Sequence, residues 1–218
     1  MRRALVTGGN RGIGYAIAEG LLARGCAVVI GARDPGAGAD AAHVLGCEWV
    51  HLDLEAPETF GPAVEAAGAV DVLINNAGLL IEDSMVAHPD GLRRSMQVMF
   101  HAPFELILSC LPHMARTGQG RIINVSSGWG AYDEGLQGPG GYGVAKAALN
   151  ALSHALPRDL PEGVSINAMC PGWVHTRMGG VSAPRTPEDG ADTAIWLALD
   201  APAHITGKFF RDRTEKAW

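Results

Sequence analysis

Ala4-Leu5-Val6-Thr7-Gly8-Gly9-Asn10-Arg11-Gly12-Ile13-Gly14-Tyr15-Ala16-Ile17-Ala18 joins a short apolar run to an alanine-rich run at helical spacing through a glycine turn. It reads as strand, tight turn and helix. Gly8 permits the turn, Gly12 lets backbone approach a pyrophosphate, and Gly14 allows helix and strand to pack closely. The first helical turn then offers free N–H groups and the positive end of the helix dipole to phosphate. A lone glycine triplet is weak evidence. Its place behind the first strand of an alternating chain gives it meaning.

Outward from that turn the alternation continues. β-branched runs at 27–32, 48–52, 71–75, 121–126, 165–169 and 208–211 join 4–7 as candidate strands. Helical spacing occupies 13–23, 37–45, 57–67, 89–116, 142–156 and 187–199. The strands are apolar on both faces, as in a parallel sheet covered by helices on both sides. Right-handed crossovers at this spacing give a doubly wound, Rossmann-type α/β fold of about seven strands. No linker, repeat or charge block divides the 218 residues, so one domain spanning 1–218 is expected. A chain of that length buries roughly 70% of its unfolded surface.

Composition narrows the function classes. A net charge of -6 argues against a nucleic-acid partner, which favours a basic face. The apolar stretch after Met1-Arg2-Arg3 stops at Thr7-Gly8, too soon for a signal peptide. No segment approaches the unbroken apolar length of a membrane span, so no membrane association is expected. Cys26, Cys47, Cys110 and Cys170 are scattered, which fits reduced thiols in the cytoplasm. The eight histidines form no His-Glu-x-x-His, and no metal site is expected.

The chemistry gathers further along. Tyr142 and Lys146, four residues apart in Tyr-Gly-Val-Ala-Lys, share one helix face. A free phenol has a pKa near 10 and is about 0.1% ionised at pH 7, but a neighbouring ammonium favours the phenolate. Between the fifth strand and this helix, 128–141 holds six glycines. Loops at strand carboxyl ends form the ligand crevice of such sheets, so this segment is either an active-site wall or a surface loop.

The glycine turn in its Gly-x-x-x-Gly-x-Gly spacing, followed by Asn75-Asn76-Ala77-Gly78, Ser126-Ser127 and Tyr142-x-x-x-Lys146, resembles the short-chain dehydrogenase/reductase family. The pattern is most similar to its NADPH-dependent carbonyl reductases. The resemblance runs from Leu5 to the final strand and implies hydride transfer on a nicotinamide cofactor. It implies that Tyr142 protonates the substrate oxygen, that Ser127 (less favourably Ser126) holds that oxygen, and that Lys146 also bonds the nicotinamide ribose. Gly8, Asn10, Arg11, Gly12, Ile13 and Gly14 would cradle the cofactor, and Asp53-Leu54 would meet the adenine. Ala77 and Gly78 would let backbone run beside it, with Asn76 supplying a polar side chain. Pro171, Gly172, Val174 and Thr176 would bind the carboxamide.

The second strand ends Ala32-Arg33-Asp34, where an NAD enzyme needs a carboxylate for the ribose hydroxyls. Ala32 stands at that position, and Arg33 with Arg11 suits a 2′-phosphate, so NADP(H) is the expected cofactor. Asp34, shifted by a residue or two, is the competing ribose acceptor.

Two departures from the family stand out. Met99 occupies the place of an asparagine whose neighbourhood links the lysine to solvent, which puts that proton relay in doubt. The lid, 178–185, is short, and Trp129, Tyr132 and Trp173 either line an open site or merely pack. The expected activity is NADPH-dependent reduction of a small aldehyde or ketone. The alternatives are an NAD-dependent alcohol dehydrogenase and a non-catalytic NADP-binding regulator. Small residues on the Tyr142 helix and apolar ones on the long helix before it point to a homodimer or homotetramer.

Overall fold

A computed structural model describes residues 1–218. Along the chain run β1 (Arg3–Thr7), α1 (Gly12–Ala23), β2 (Ala27–Ala32), α2 (Pro35–Leu45) and β3 (Glu48–His51). Next come α3 (Phe60–Ala67), β4 (Val72–Asn75), α4 (Pro89–Met96), α5 (Ala102–Thr117), β5 (Gly120–Val125) and α6 (Tyr142–Ala155). The chain closes with β6 (Val164–Met169), α7 (Pro187–Leu199), β7 (Phe209–Arg211) and β8 (Thr214–Lys216). The sheet order is β3-β2-β1-β4-β5-β6-β7-β8, with every pair parallel except β7–β8. The order reverses between β1 and β4. A doubly wound sheet opens its ligand crevice at that switch point, beyond the strand carboxyl ends.

Strand alternation divides the core into two layers. Ala4, Val6, Val28, Ile30, Val72 and Ile74 face Ile17, Leu21, Ala194 and Leu197 on α1 and α7. Leu5, Val29, Leu73 and Ile122 face Phe60, Leu106, Ile107, Met114 and Leu149 on α3, α5 and α6. Strands β1, β2 and β4 therefore bury both faces, which is why they read as apolar runs.

Three features differ from the sequence reading. An eighth strand exists: β8 returns on β7 through Asp212 and Arg213, both at positive φ (52° and 57°). Its three residues are exposed and polar, so no apolar period announces it. The long helix expected at 89–116 is interrupted by a π turn at Gln97–His101, which contains Met99. Together with this turn, α4 and α5 make a 29-residue run, Pro89–Thr117, with a window of mean hydropathy 1.2. One helix is thus long and apolar enough to cross a membrane, contrary to the expectation that none approaches it. Its apolar side, with Met99, Leu106, Ile107, Cys110 and Met114, is buried in the core against the sheet.

Candidate active site

The glycine turn is built for close approach. Gly8 and Gly12 sit at φ +64° and +54°, where side chains are strained. A Cβ on Gly14 would strike the Gly8 carbonyl and the Asn76 amide. One on Gly12 would come within 3.2 Å of Thr176 Cγ2, so the segment after β6 closes over the turn. No side chain caps α1, which leaves its first N–H groups to whatever binds there. Asn10 and Ile13 are half-buried and Arg11 is exposed along the same turn.

Asn76 turns inward more than expected. Its amide donates to the carbonyls of Thr7 (2.9 Å) and Gly8 (3.4 Å), and the N–H groups of Asn76 and Ala77 both donate to Thr7 Oγ1 (3.0 Å each). This residue therefore braces the glycine turn from β4. Gly78 lies beyond it, exposed, with its Cβ direction open to Met99 Sδ (3.5 Å) and Lys146 Nζ (3.8 Å).

At the end of β2, Arg33 is exposed, and Asp34 caps α2 by accepting from the Ala37 N–H at 2.8 Å. After β3, Asp53 accepts from the Glu55 N–H at 3.0 Å, and Leu54 is buried. The next residue, Glu55, takes a bidentate ion pair from Arg94 (2.7 and 3.1 Å) and lies 3.9 Å from Arg33. Sequence reading missed both Glu55 and Arg94. Their positions, 39 residues apart, carry no shared pattern.

Helix α6 places Tyr142 and Lys146 together beneath the loop that follows β5. Lys146 is buried, its Nζ donates to the Val125 carbonyl at 2.6 Å and stands 5.8 Å from the centre of the Tyr142 ring. Burial lowers the lysine to about 8. Burial likewise pushes the Tyr142 phenol up to about 12, although a hydrogen bond with Ser127 opposes it. The ammonium was expected to favour phenolate. In the folded chain desolvation is the largest influence and acts the other way, because a buried phenolate has little to replace its water.

The two serines separate cleanly. Ser126 is buried and donates to the Lys146 carbonyl at 3.4 Å, whereas half-exposed Ser127 accepts from the Trp129 N–H at 3.2 Å and reaches Tyr142. Trp129 stands edge-on to Tyr142, with ring centres 6.0 Å apart, and is 44% exposed. The glycine loop is anchored by β7 and the C-terminal segment. Glu134 pairs with Arg211 on β7 at 2.5 Å, and the Asp133 N–H donates to the Trp218 carbonyl at 3.0 Å. The same guanidinium donates to Cys170 Sγ at 3.3 Å, as does the Gly128 N–H at 3.2 Å. These anchors were not legible in the sequence, because each joins residues far apart in the chain.

After β6, half-buried Pro171 leads to Gly172 at φ +76°, whose N–H points to Cys170 Sγ at 3.4 Å. Val174 is buried, and Thr176 Oγ1 accepts from the Gly179 N–H at 3.1 Å, with the Trp173 indole donating to the Gly179 carbonyl at 2.8 Å. The expected site residues thus lie on segments that follow the parallel strands β1 to β6, at the carboxyl ends where a doubly wound sheet opens its crevice.

The family model for short chain dehydrogenase matches residues 2–186. The chain belongs to the short-chain dehydrogenase/reductase family. It is 35% identical to the rhamnolipids biosynthesis 3-oxoacyl-[acyl-carrier-protein] reductase of Pseudomonas aeruginosa, covering 94% of this chain and 92% of that protein. It is 30% identical to mouse carbonyl reductase [NADPH] 1, covering 99% and 98%. Among solved structures, the Pseudomonas aeruginosa RhlG/NADP active-site complex superimposes with a TM-score of 0.86 at 34% identity, over 95% of this chain and 93% of that one. As a member of this family the chain is an oxidoreductase. Met99, expected at the place of the family's asparagine, is fully buried among the core side chains and lies in the π turn.

Proposed function

We propose that this oxidoreductase uses NADPH to reduce the carbonyl of a small aldehyde or ketone to an alcohol, as one domain spanning the chain. The observation that supports it most is the buried Tyr142 side chain at the start of α6, where burial holds the phenol pKa above its usual range. A neutral phenol is a proton donor, which is what a carbonyl oxygen needs as it gains negative charge.

The residues fit NADP(H). The glycine turn excludes side chains where a pyrophosphate would lie, and the uncapped start of α1 supplies N–H donors. At the end of β2, Asp34 is engaged as a helix cap while Arg33 is exposed, which supports a 2′-phosphate over free ribose hydroxyls. When bound, NADPH supplies the hydride to the carbonyl carbon. Ser127 holds the oxygen, Tyr142 gives up its hydroxyl proton to it, and Lys146 below Tyr142 favours the phenolate left behind. The set Ser127, Tyr142 and Lys146 argues against a regulator that has lost turnover. The Arg33 environment argues against an NAD-dependent alcohol dehydrogenase.

An apolar substrate has support from exposed aromatic side chains: Trp129 beside Tyr142, and Tyr132 and Trp173 on the segments after β5 and β6, offer faces to a ring or alkyl chain. A second reading, a 3-oxoacyl thioester on a carrier protein, has support from the Pseudomonas relative. NADPH oxidation measured with aromatic aldehydes and cyclic ketones against a 3-oxoacyl carrier protein decides between them. Turnover of the free carbonyls at a higher kcat/KM supports the first, and preference for the carrier-bound thioester replaces it. We further propose a cytoplasmic homodimer or homotetramer, supported by the scattered cysteines and by apolar Leu108 and Val144 exposed on α5 and α6.

A further inference from the structure

Arg33 has a competitor for its charge. Glu55 carries a carboxylate 3.9 Å from the Arg33 guanidinium, close enough for an ion pair, though the two share no hydrogen bond. Left to itself, that carboxylate would neutralise the cation that a 2′-phosphate requires. Glu55 is instead engaged from α4: Arg94 Nε donates to one carboxylate oxygen at 2.7 Å and Nη2 to the other at 3.1 Å. The hydrogen bond from Arg94 is the main reason the Glu55 carboxyl sits below its usual range, and Arg33 contributes least. Three residues from Arg94, on the same side of the helical run, Gln97 Nε2 donates to the Leu54 carbonyl at 3.1 Å. The helical run therefore grips the segment after β3 twice, once by backbone and once by charge.

Other charges nearby are already committed. Asp34 caps α2, and Arg93 pairs with Asp90 on its own helix at 2.6 Å. The cluster of Arg33, Glu55 and Arg94 then carries one net positive charge, and without Arg94 it would carry none. A phosphate monoester bears between one and two negative charges at neutral pH, so this difference is felt by NADPH and not by NADH.

We propose that Arg94 is a positioning residue for cofactor choice: by occupying Glu55, it keeps the Arg33 guanidinium available to a 2′-phosphate. The proposal rests on the reading that Arg33 binds that phosphate. Glu55 is only 29% exposed and Arg33 61%, so the competition takes place at a half-shielded carboxylate and not between two freely solvated groups. Arg94 itself needs no contact with the cofactor.

Equilibrium binding of NADPH and of NADH, followed by quenching of tryptophan fluorescence, tests this on the full chain. Arg94→Ala is expected to weaken NADPH about three- to tenfold while NADH stays within about twofold. Adding Glu55→Gln to that variant is expected to restore NADPH to within about twofold of the wild type, since the competing charge is gone. No loss on Arg94→Ala, or an equal loss for both cofactors, overturns the proposal, the latter by giving Arg94 a purely structural role. Failure of the double variant to recover NADPH also overturns it, because Arg94 would then be touching the phosphate directly. Arg33→Ala keeps the two levels apart. A selective loss of NADPH there, with no effect at Arg94, removes only this proposal, whereas no selective loss at Arg33 removes the phosphate reading and the proposal with it.

Discussion

A phenol held in a desolvated site, with a hydroxyl for its partner, keeps its proton. Tyr142 is in that state, and Tyr142→Phe is expected to lower kcat by about three orders of magnitude with NADPH affinity near wild type. Rapid kinetics beside a binding titration check this, and a variant retaining a tenth of the activity removes Tyr142 as the acid. Lys146 gives a pH signature. Its folded pKa, about 8, lies below the value of 10.5 expected for an exposed lysine, so below pH 8 folding must bury a full charge. Between those values the unfolded chain binds more protons than the folded one, so stability attributable to Lys146 rises with pH across that window. Compared with Lys146→Met, the wild type should be least favoured below pH 8 and gain steadily toward pH 10.5. Urea midpoints at several pH values read the difference, and a constant gap would mean that Lys146 is not desolvated as described.

Elements hold these residues in place by their ends and edges. Helix α7 begins with a reciprocal cap: Thr186 Oγ1 accepts from the Asp189 N–H and the Asp189 carboxylate from the Thr186 N–H, both at 3.1 Å. Thr186→Ala should cost about 1 kcal/mol, seen as a lower urea midpoint at unchanged slope. The glycine loop depends on the Glu134–Arg211 pair, which links the Trp129 segment to β7. Glu134→Ala is expected to raise KM for the carbonyl severalfold and leave NADPH binding near wild type, since the loop carries Trp129, which stands against Tyr142. Equal damage to both would place the loop in the cofactor site. The sequence announces Thr186-Pro187-Glu188 as a helix start, because a cap is a local signal. It is silent about Glu134 and Arg211, whose contact requires β7 to lie beside β6.

For the whole molecule, the doubly wound sheet places α5 and α6 on the same face, over one core layer. Leu108 and Val144 are exposed there, with Leu111, Ala147, Ala148 and Leu152 half-buried. Sedimentation at micromolar concentration should show a species larger than the 22.8 kDa chain. A single species of that mass, unchanged on concentration, would mean that this face stays in water and that the oligomer proposal fails.

The fold was legible because its determinants are local and periodic. Apolar runs such as Val28-Val29-Ile30, the positive-φ glycines of the first turn and the helical pairing of Tyr142 with Lys146 act over a few residues each, so the order of residues alone specifies them. Strand β8 escaped because three exposed polar residues have no periodicity to betray them, and the π turn around Met99 escaped because its extra residue leaves the apolar pattern almost intact. Only the tertiary structure could decide which charge meets which. The sequence left Asp34 and Arg33 as rivals, and the folded chain engages Asp34 on α2 and sets Arg33 beside a Glu55 already taken by Arg94. It likewise reversed the expectation for the Tyr142 phenol. Hydrogen-bond partners and desolvation are properties of packed neighbours distant in the chain, and no local pattern encodes them.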